Sequence, residues 1–118
     1  LTDAIVIASR HHRSDKLVRL LAQLPCQQQL EIGSIGCKIA AIVDRRADLY
    51  VSLSGDSAPK DWDFAAPELI LTEAGGKFTH SDGSPIKYNQ GDVSQWGCFI
   101  ASNGAWHQQI LDCCQEYK

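Results

Sequence analysis

The run Ala4-Ile5-Val6-Ile7-Ala8, followed by Ser9-Arg10-His11-His12-Arg13-Ser14, decides the fold. Consecutive apolar residues leave no polar face to turn to water, the pattern of a strand buried on both sides in a parallel sheet. The polar cluster ends the strand. Leu17, Leu20, Leu21 and Leu24 then recur at helical spacing, with Ser14 or Asp15 as N-cap and Pro25 as the stop. Leu30-Glu31-Ile32 reads as a weak short strand. Gly33-Ser34 opens a second helix whose apolar residues Ile35, Ile39, Ile42 and Val43 fall on one stripe.

The same alternation continues to the end of the chain. Leu49-Tyr50-Val51 reads as a strand, and residues 54–61 as a loop by composition. A third helix is predicted from about Asp63 to Ala74, because Pro67 is tolerable only near a first turn. Gly75-Gly76 ends it with residues able to adopt positive φ. Lys77-Phe78-Thr79 and Ile86-Lys87-Tyr88 flank the turn Ser81–Ser84, and Cys98–Ala101 is a last buried strand. Asn103 is placed to cap a final helix carrying Trp106, Ile110 and Leu111. The pattern predicts an α/β layered sandwich, its sheet largely parallel in the first half and mixed overall, flanked by helices. No repeat or linker divides the chain, so residues 1–118 read as a single domain.

Composition narrows the function. The chain has 118 residues, 44% of them hydrophobic, enough for a real core. With 11 basic and 14 acidic side chains the net charge is −3, which argues against a nucleic-acid partner needing a basic footprint. No apolar run approaches a membrane span, and the start lacks a signal-like pattern. Five cysteines without a C-x-x-C pair point to a reducing compartment, so a cytoplasmic protein is expected. For Cys113-Cys114, packing within a C-terminal helix is favoured over redox chemistry. Methionine is absent, which leads to the expectation of a piece cut from a longer protein.

In parallel sheets ligands lie beyond the carboxyl ends of the strands, and three loops qualify. Residues 9–14 offer a hydroxyl, two imidazoles and two guanidinium groups, able to hold a phosphate or to form a solvated strand-to-helix turn. Gly33-Ser34-Ile35-Gly36-Cys37-Lys38 sets free amides at a helix start with Lys38 one turn in: an anion site or an ordinary capped helix. Asp61-Trp62-Asp63 closes the third loop. Its carboxylates read either as caps complementing the helix dipole or as ligands for Mg2+.

The segment Trp62-Asp63-Phe64-Ala65-Ala66-Pro67-Glu68-Leu69-Ile70-Leu71-Thr72-Glu73-Ala74-Gly75-Gly76 resembles the C-terminal signature of the inositol monophosphatase superfamily. That signature is Trp-Asp, small residues two and three positions on, a hydrophobic helix and a closing Gly-Gly. Ser9-Arg10-His11-His12 is similar to the family's Ser/Thr-Arg-Ser-His loop, with His11 where serine is usual. Gly33–Lys38 resembles its Gly-Ser/Gly-x-x-x-Lys helix start, and Ala47-Asp48-Leu49-Tyr50 its small-Asp/Ser-x-Tyr strand. Together they point to the 3'(2'),5'-bisphosphate nucleotidase branch.

The resemblance implies the C-terminal, substrate-side half of a Mg2+-dependent phosphatase, which would hydrolyse 3'-phosphoadenosine 5'-phosphate to AMP and phosphate. The family's N-terminal domain supplies a ligand glutamate and the Asp-Pro-Ile/Leu-Asp-Gly-Thr motif, and neither occurs here. Asp63 is the metal ligand that carries over, while Ser9, His12, Ser34 and Lys38 match positions that bind the nucleotide. The expectation is a chain inactive by itself, partnered by the N-terminal domain and a small phosphate substrate. Without that domain, the apolar face it would cover favours self-association. A non-catalytic binder of adenosine phosphates and a structural module are the other readings.

Overall fold

The computed structural model describes residues 3–9, 15–26, 28–54 and 58–114, with Ala8 and Ser9 as backbone only. The elements follow in the order β1 (Ile5–Ser9), α1 (Asp15–Gln23), β2 (Gln28–Ile32), α2 (Ile35–Val43), β3 (Leu49–Leu53), α3 (Asp61–Glu73), β4 (Lys77–His80), β5 (Cys98–Ser102) and α4 (His107–Cys113). The sheet order is β2-β1-β3-β5-β4. β1 pairs in parallel with β2 and β3, whereas β5 runs antiparallel to both β3 and β4. The sheet is mixed, with its parallel part in the first half of the chain.

Alternating side chains along the strands feed two cores. Val6, Leu49, Val51 and Ile100 pack with Leu17 and Leu20 of α1 and Ile110 of α4. Ile7, Tyr50, Phe78 and Phe99 pack on the other face with Ile39 and Ile42 of α2 and Phe64 and Leu71 of α3. Phe64 anchors the second core, its ring centroid 4.8 Å from that of Phe78 and 4.9 Å from that of Phe99. The connection after β1 therefore leads to one face and that after β3 to the other. Their carboxyl ends form the switch point where α/β sheets bind ligands.

Three boundaries differ from the sequence expectation. Helix α3 begins at Asp61, two residues early, because long-range bonds fix its start: Asp61 N–H donates to the Val93 carbonyl at 2.8 Å. Pro67 then lies inside the helix. It removes the amide that would bond the Asp63 carbonyl. Residues 86–88 form no strand; Ile86 is buried in the α2–α3 core and the Tyr88 hydroxyl donates to Glu68 at 2.6 Å. Asn103 does not cap α4. Its side-chain oxygen accepts from Ala105 N–H at 3.1 Å, and the helix starts at His107 after Trp106.

The α3 terminus shows why both glycines are needed. Gly75 adopts φ +91, the left-handed residue of a Schellman stop, with Gly76 N–H bonding the Leu71 carbonyl at 2.9 Å. Gly76 answers to space instead: a Cβ there would lie 2.5 Å from the Ser102 carbonyl oxygen. Helix α2 ends on the same motif with Arg45 at φ 64 in the position glycine usually takes. Among the described residues no helix is long and apolar enough to cross a membrane.

Candidate functional site

β1, β2 and β3 are parallel, so their carboxyl ends share one edge of the sheet. Helix α2 follows β2 and helix α3 follows β3, which places both helix starts at that edge. Ser9 closes β1 there, opposite Ile32 in the β1–β2 register. His12 lies outside the described residues.

Ser34 is the N-cap of α2 in extended conformation, and its Oγ accepts from Cys37 N–H at 3.1 Å. The cap satisfies one of the helix's open amides. It uses the hydroxyl as an acceptor and leaves its proton available to an incoming oxygen.

Lys38 enters the apolar face of α2 and is only 3% exposed. Its Nζ lies 4.6 Å from the centroid of the Tyr50 ring, over the face. Among the described residues no carboxylate pairs with it; the ion pair present, Arg46 with Asp44, is on the surface. Burial holds the Lys38 ammonium below the usual lysine range.

Asp63 is half-buried in the first turn of α3, and its Oδ2 accepts the Lys60 N–H at 2.8 Å. That bond caps the helix start. Burial pushes the Tyr50 hydroxyl up to about 12, and the nearby Asp63 charge adds to the rise. Ser34 lies one turn from Lys38, the Ser9 backbone ends β1 at the same edge, and Asp63 lies in the α3 turn that follows β3.

Asp61, equally suggestive in sequence, is structural. Its two oxygens take Gln95 Nε2 at 2.7 Å and Asn89 N–H at 2.9 Å, tying the following loop to the helix start. Among the described residues no group of three or more His, Cys, Asp or Glu side chains can hold a metal. Mg2+ draws on several oxygens, so one carboxylate does not make its site. The contact between Tyr50 and Lys38 had no signal in the sequence, since a ring offered to a cation from another element leaves no local pattern.

The opposite edge holds a cavity of about 300 Å³ lined by residues that include Arg45, Asp48, Leu71 and Asn103. Asp48 is fully engaged there, accepting from Ile5 N–H at 2.7 Å and Asn103 Nδ2 at 3.1 Å. His107 is buried nearby between Ser102 Oγ at 2.7 Å and Thr79 Oγ1 at 2.8 Å. Thr79 already donates to the His80 carbonyl, so His107 Nε2 donates to Thr79 and Nδ1 accepts from Ser102. Burial pushes His107 down to about 4. The buried thiols of Cys98 and Cys114 are pushed up to about 11 and about 12, which makes them packing groups.

A model of the inositol monophosphatase family matches residues 1–118. The rat protein named 3'(2'),5'-bisphosphate nucleotidase 1 is 33% identical over 86 residues, which cover 73% of this chain and 27% of that protein. A Mycobacterium tuberculosis protein named 3'-phosphoadenosine 5'-phosphate phosphatase is 35% identical over 86 residues, covering 73% and 31%. A Thermotoga maritima IMPase structure superposes with a TM-score of 0.76 at 23% identity, covering 98% of this chain and 42% of that one. The chain therefore spans less than half the length of these relatives.

Proposed function

The chain belongs to the inositol monophosphatase family, and we propose that it is the substrate-side half of a Mg2+-dependent phosphatase for 3'-phosphoadenosine 5'-phosphate, forming AMP and phosphate. One observation carries this reading: a buried ammonium, Lys38, with no carboxylate partner among the described residues, at the switch-point edge where α3 also starts. A buried cation without a counter-ion is costly, and a phosphate would supply one. Ser34 would donate its hydroxyl proton to the same phosphate, with Ser9 and His12 completing the grip on the nucleotide. The names of the curated relatives favour this substrate over an inositol phosphate.

Mg2+ is assigned to the assembled enzyme. Asp63 would contribute one carboxylate and a preceding half the others, because the described residues form no cluster of three or more ligand side chains. The outer face of the α2–α3 layer supports such a covering half. On α3, Trp62, Leu69 and Ile70 are 66%, 62% and 54% exposed. On α2, Cys37, Ala40 and Val43 also face outward. The same face favours a second reading, in which the isolated chain self-associates as a structural module. We place the enzyme in the cytoplasm, consistent with five free cysteines.

Phosphate release from 3'-phosphoadenosine 5'-phosphate tests the reading. This chain alone should be inactive, and activity should appear when a family N-terminal half is joined to it. In the joined protein Asp63→Asn should lower turnover roughly a hundredfold or more, and Lys38→Ala should mainly raise KM. Turnover of Asp63→Asn near wild type would remove the metal assignment.

A further inference from the structure

Lys38 stands where a lysine is hard to keep. It occupies the first turn of α2, where the helix dipole repels a cation, and its neighbours Ile39 and Ile42 are core residues. Its four-carbon stem is flexible, so without a holder the ammonium would snorkel toward water. The group found against it is the Tyr50 face, with Nζ 4.6 Å from the ring centroid. That ring cannot step aside. Tyr50 is buried in β3 between its strand partners Ile7 and Ala101, within the core built on Phe64.

We propose that Tyr50 is a positioning residue whose buried ring face holds the Lys38 ammonium at the carboxyl edge of the sheet, ready for a phosphate oxygen. The identity of the phosphate rests on the nucleotidase reading above; the holding of the ammonium does not. The attraction is between a cation and the negative face of a ring, so it belongs to the ring and not to the hydroxyl. Tyr50→Phe keeps the face. Tyr50→Leu keeps apolar bulk and removes it.

The test combines proton NMR of the Lys38 Cε methylene, assigned by its loss in Lys38→Ala, with titrations of inorganic phosphate and AMP. In wild type and Tyr50→Phe this methylene should resonate upfield of the other lysines through the ring current, and in Tyr50→Leu the displacement should vanish. Affinity for phosphate should fall roughly five- to thirtyfold in Tyr50→Leu, with Tyr50→Phe close to wild type. An ordinary Lys38 resonance in wild type overturns the proposal, even if Tyr50→Leu does not fold. Equal loss of the displacement in Tyr50→Phe and Tyr50→Leu overturns it too, by assigning the effect to the hydroxyl. A displaced resonance that Tyr50→Leu abolishes supports the positioning role; if wild type then binds neither phosphate nor AMP, the nucleotidase reading alone fails.

Discussion

The two edges of the sheet treat their polar groups in opposite ways. At the amino edge of β3, Asp48 has both oxygens bonded, His107 has both nitrogens bonded and Gly76 leaves no room for a Cβ. At the carboxyl edge the Lys38 ammonium has a ring face but no carboxylate among the described residues, and Asp63 has one oxygen bonded to such a residue. Groups left without partners weaken a fold, whereas satisfied ones secure it. One edge satisfies its polar groups from within the fold, and the other carries the charge that the proposed function assigns to a ligand.

The largest expected break of this contrast is Gly76→Ala. Its new Cβ would lie 2.5 Å from both the Ser102 carbonyl oxygen and Leu71 Cδ1. Chemical denaturation should show a loss of about 3 kcal/mol. A loss below about 1 kcal/mol would mean that the amino edge yields easily.

Acid comes next. His107 takes a proton at about 4 in the folded chain and at the ordinary histidine value of about 6.5 when unfolded. The unfolded state therefore binds more protons between these values, and stability falls as pH drops through that window. The loss attributable to this group should be about 2 kcal/mol by pH 5. Denaturation midpoints measured from pH 7 to pH 5 should show this slope, flattened in His107→Gln. An unchanged slope in the variant would assign it elsewhere.

Asp48→Asn is expected to follow, at about 1.5 kcal/mol, because the shape survives while one bond loses its charge and the other its acceptor, the new NH2 facing a donor. Thermal unfolding checks it.

The smallest effect should have the opposite sign. Lys38→Met replaces a buried ammonium by an apolar chain of similar length, and should raise stability by about 1 kcal/mol while removing phosphate binding. If it destabilises instead, Lys38 belongs with the structural groups and the contrast between the edges fails.

Much of this was legible from sequence. β1 and β5 stand out as apolar runs, and α2 as one apolar stripe behind a Ser34 cap. Ser34, Lys38 and Asp63 were singled out because helix starts beyond parallel strands are where anions and metals gather, and because the family resemblance selected them; their place at the starts of α2 and α3 is what the structure bears out. What escaped depends on distant partners. The start of α3 is set by residues 28 to 34 positions away, through Asn89 and Gln95. Ile86 and Tyr88 alternate like a strand, yet one is buried against the α2–α3 core and the other bonded to Glu68. Tyr50 stood out only as the tyrosine of the Ala47–Tyr50 strand motif, and its meeting with Lys38 exists only once β3 and α2 are packed.

The most direct test is calorimetric titration of the folded chain with 3'-phosphoadenosine 5'-phosphate and with AMP, in wild type and Lys38→Met, with and without Mg2+. The expected result is heat of binding in wild type that needs little Mg2+ and disappears in Lys38→Met. Equal binding by the two proteins, or none by a folded wild type, would contradict the view that the carboxyl edge holds its charge for a nucleotide phosphate.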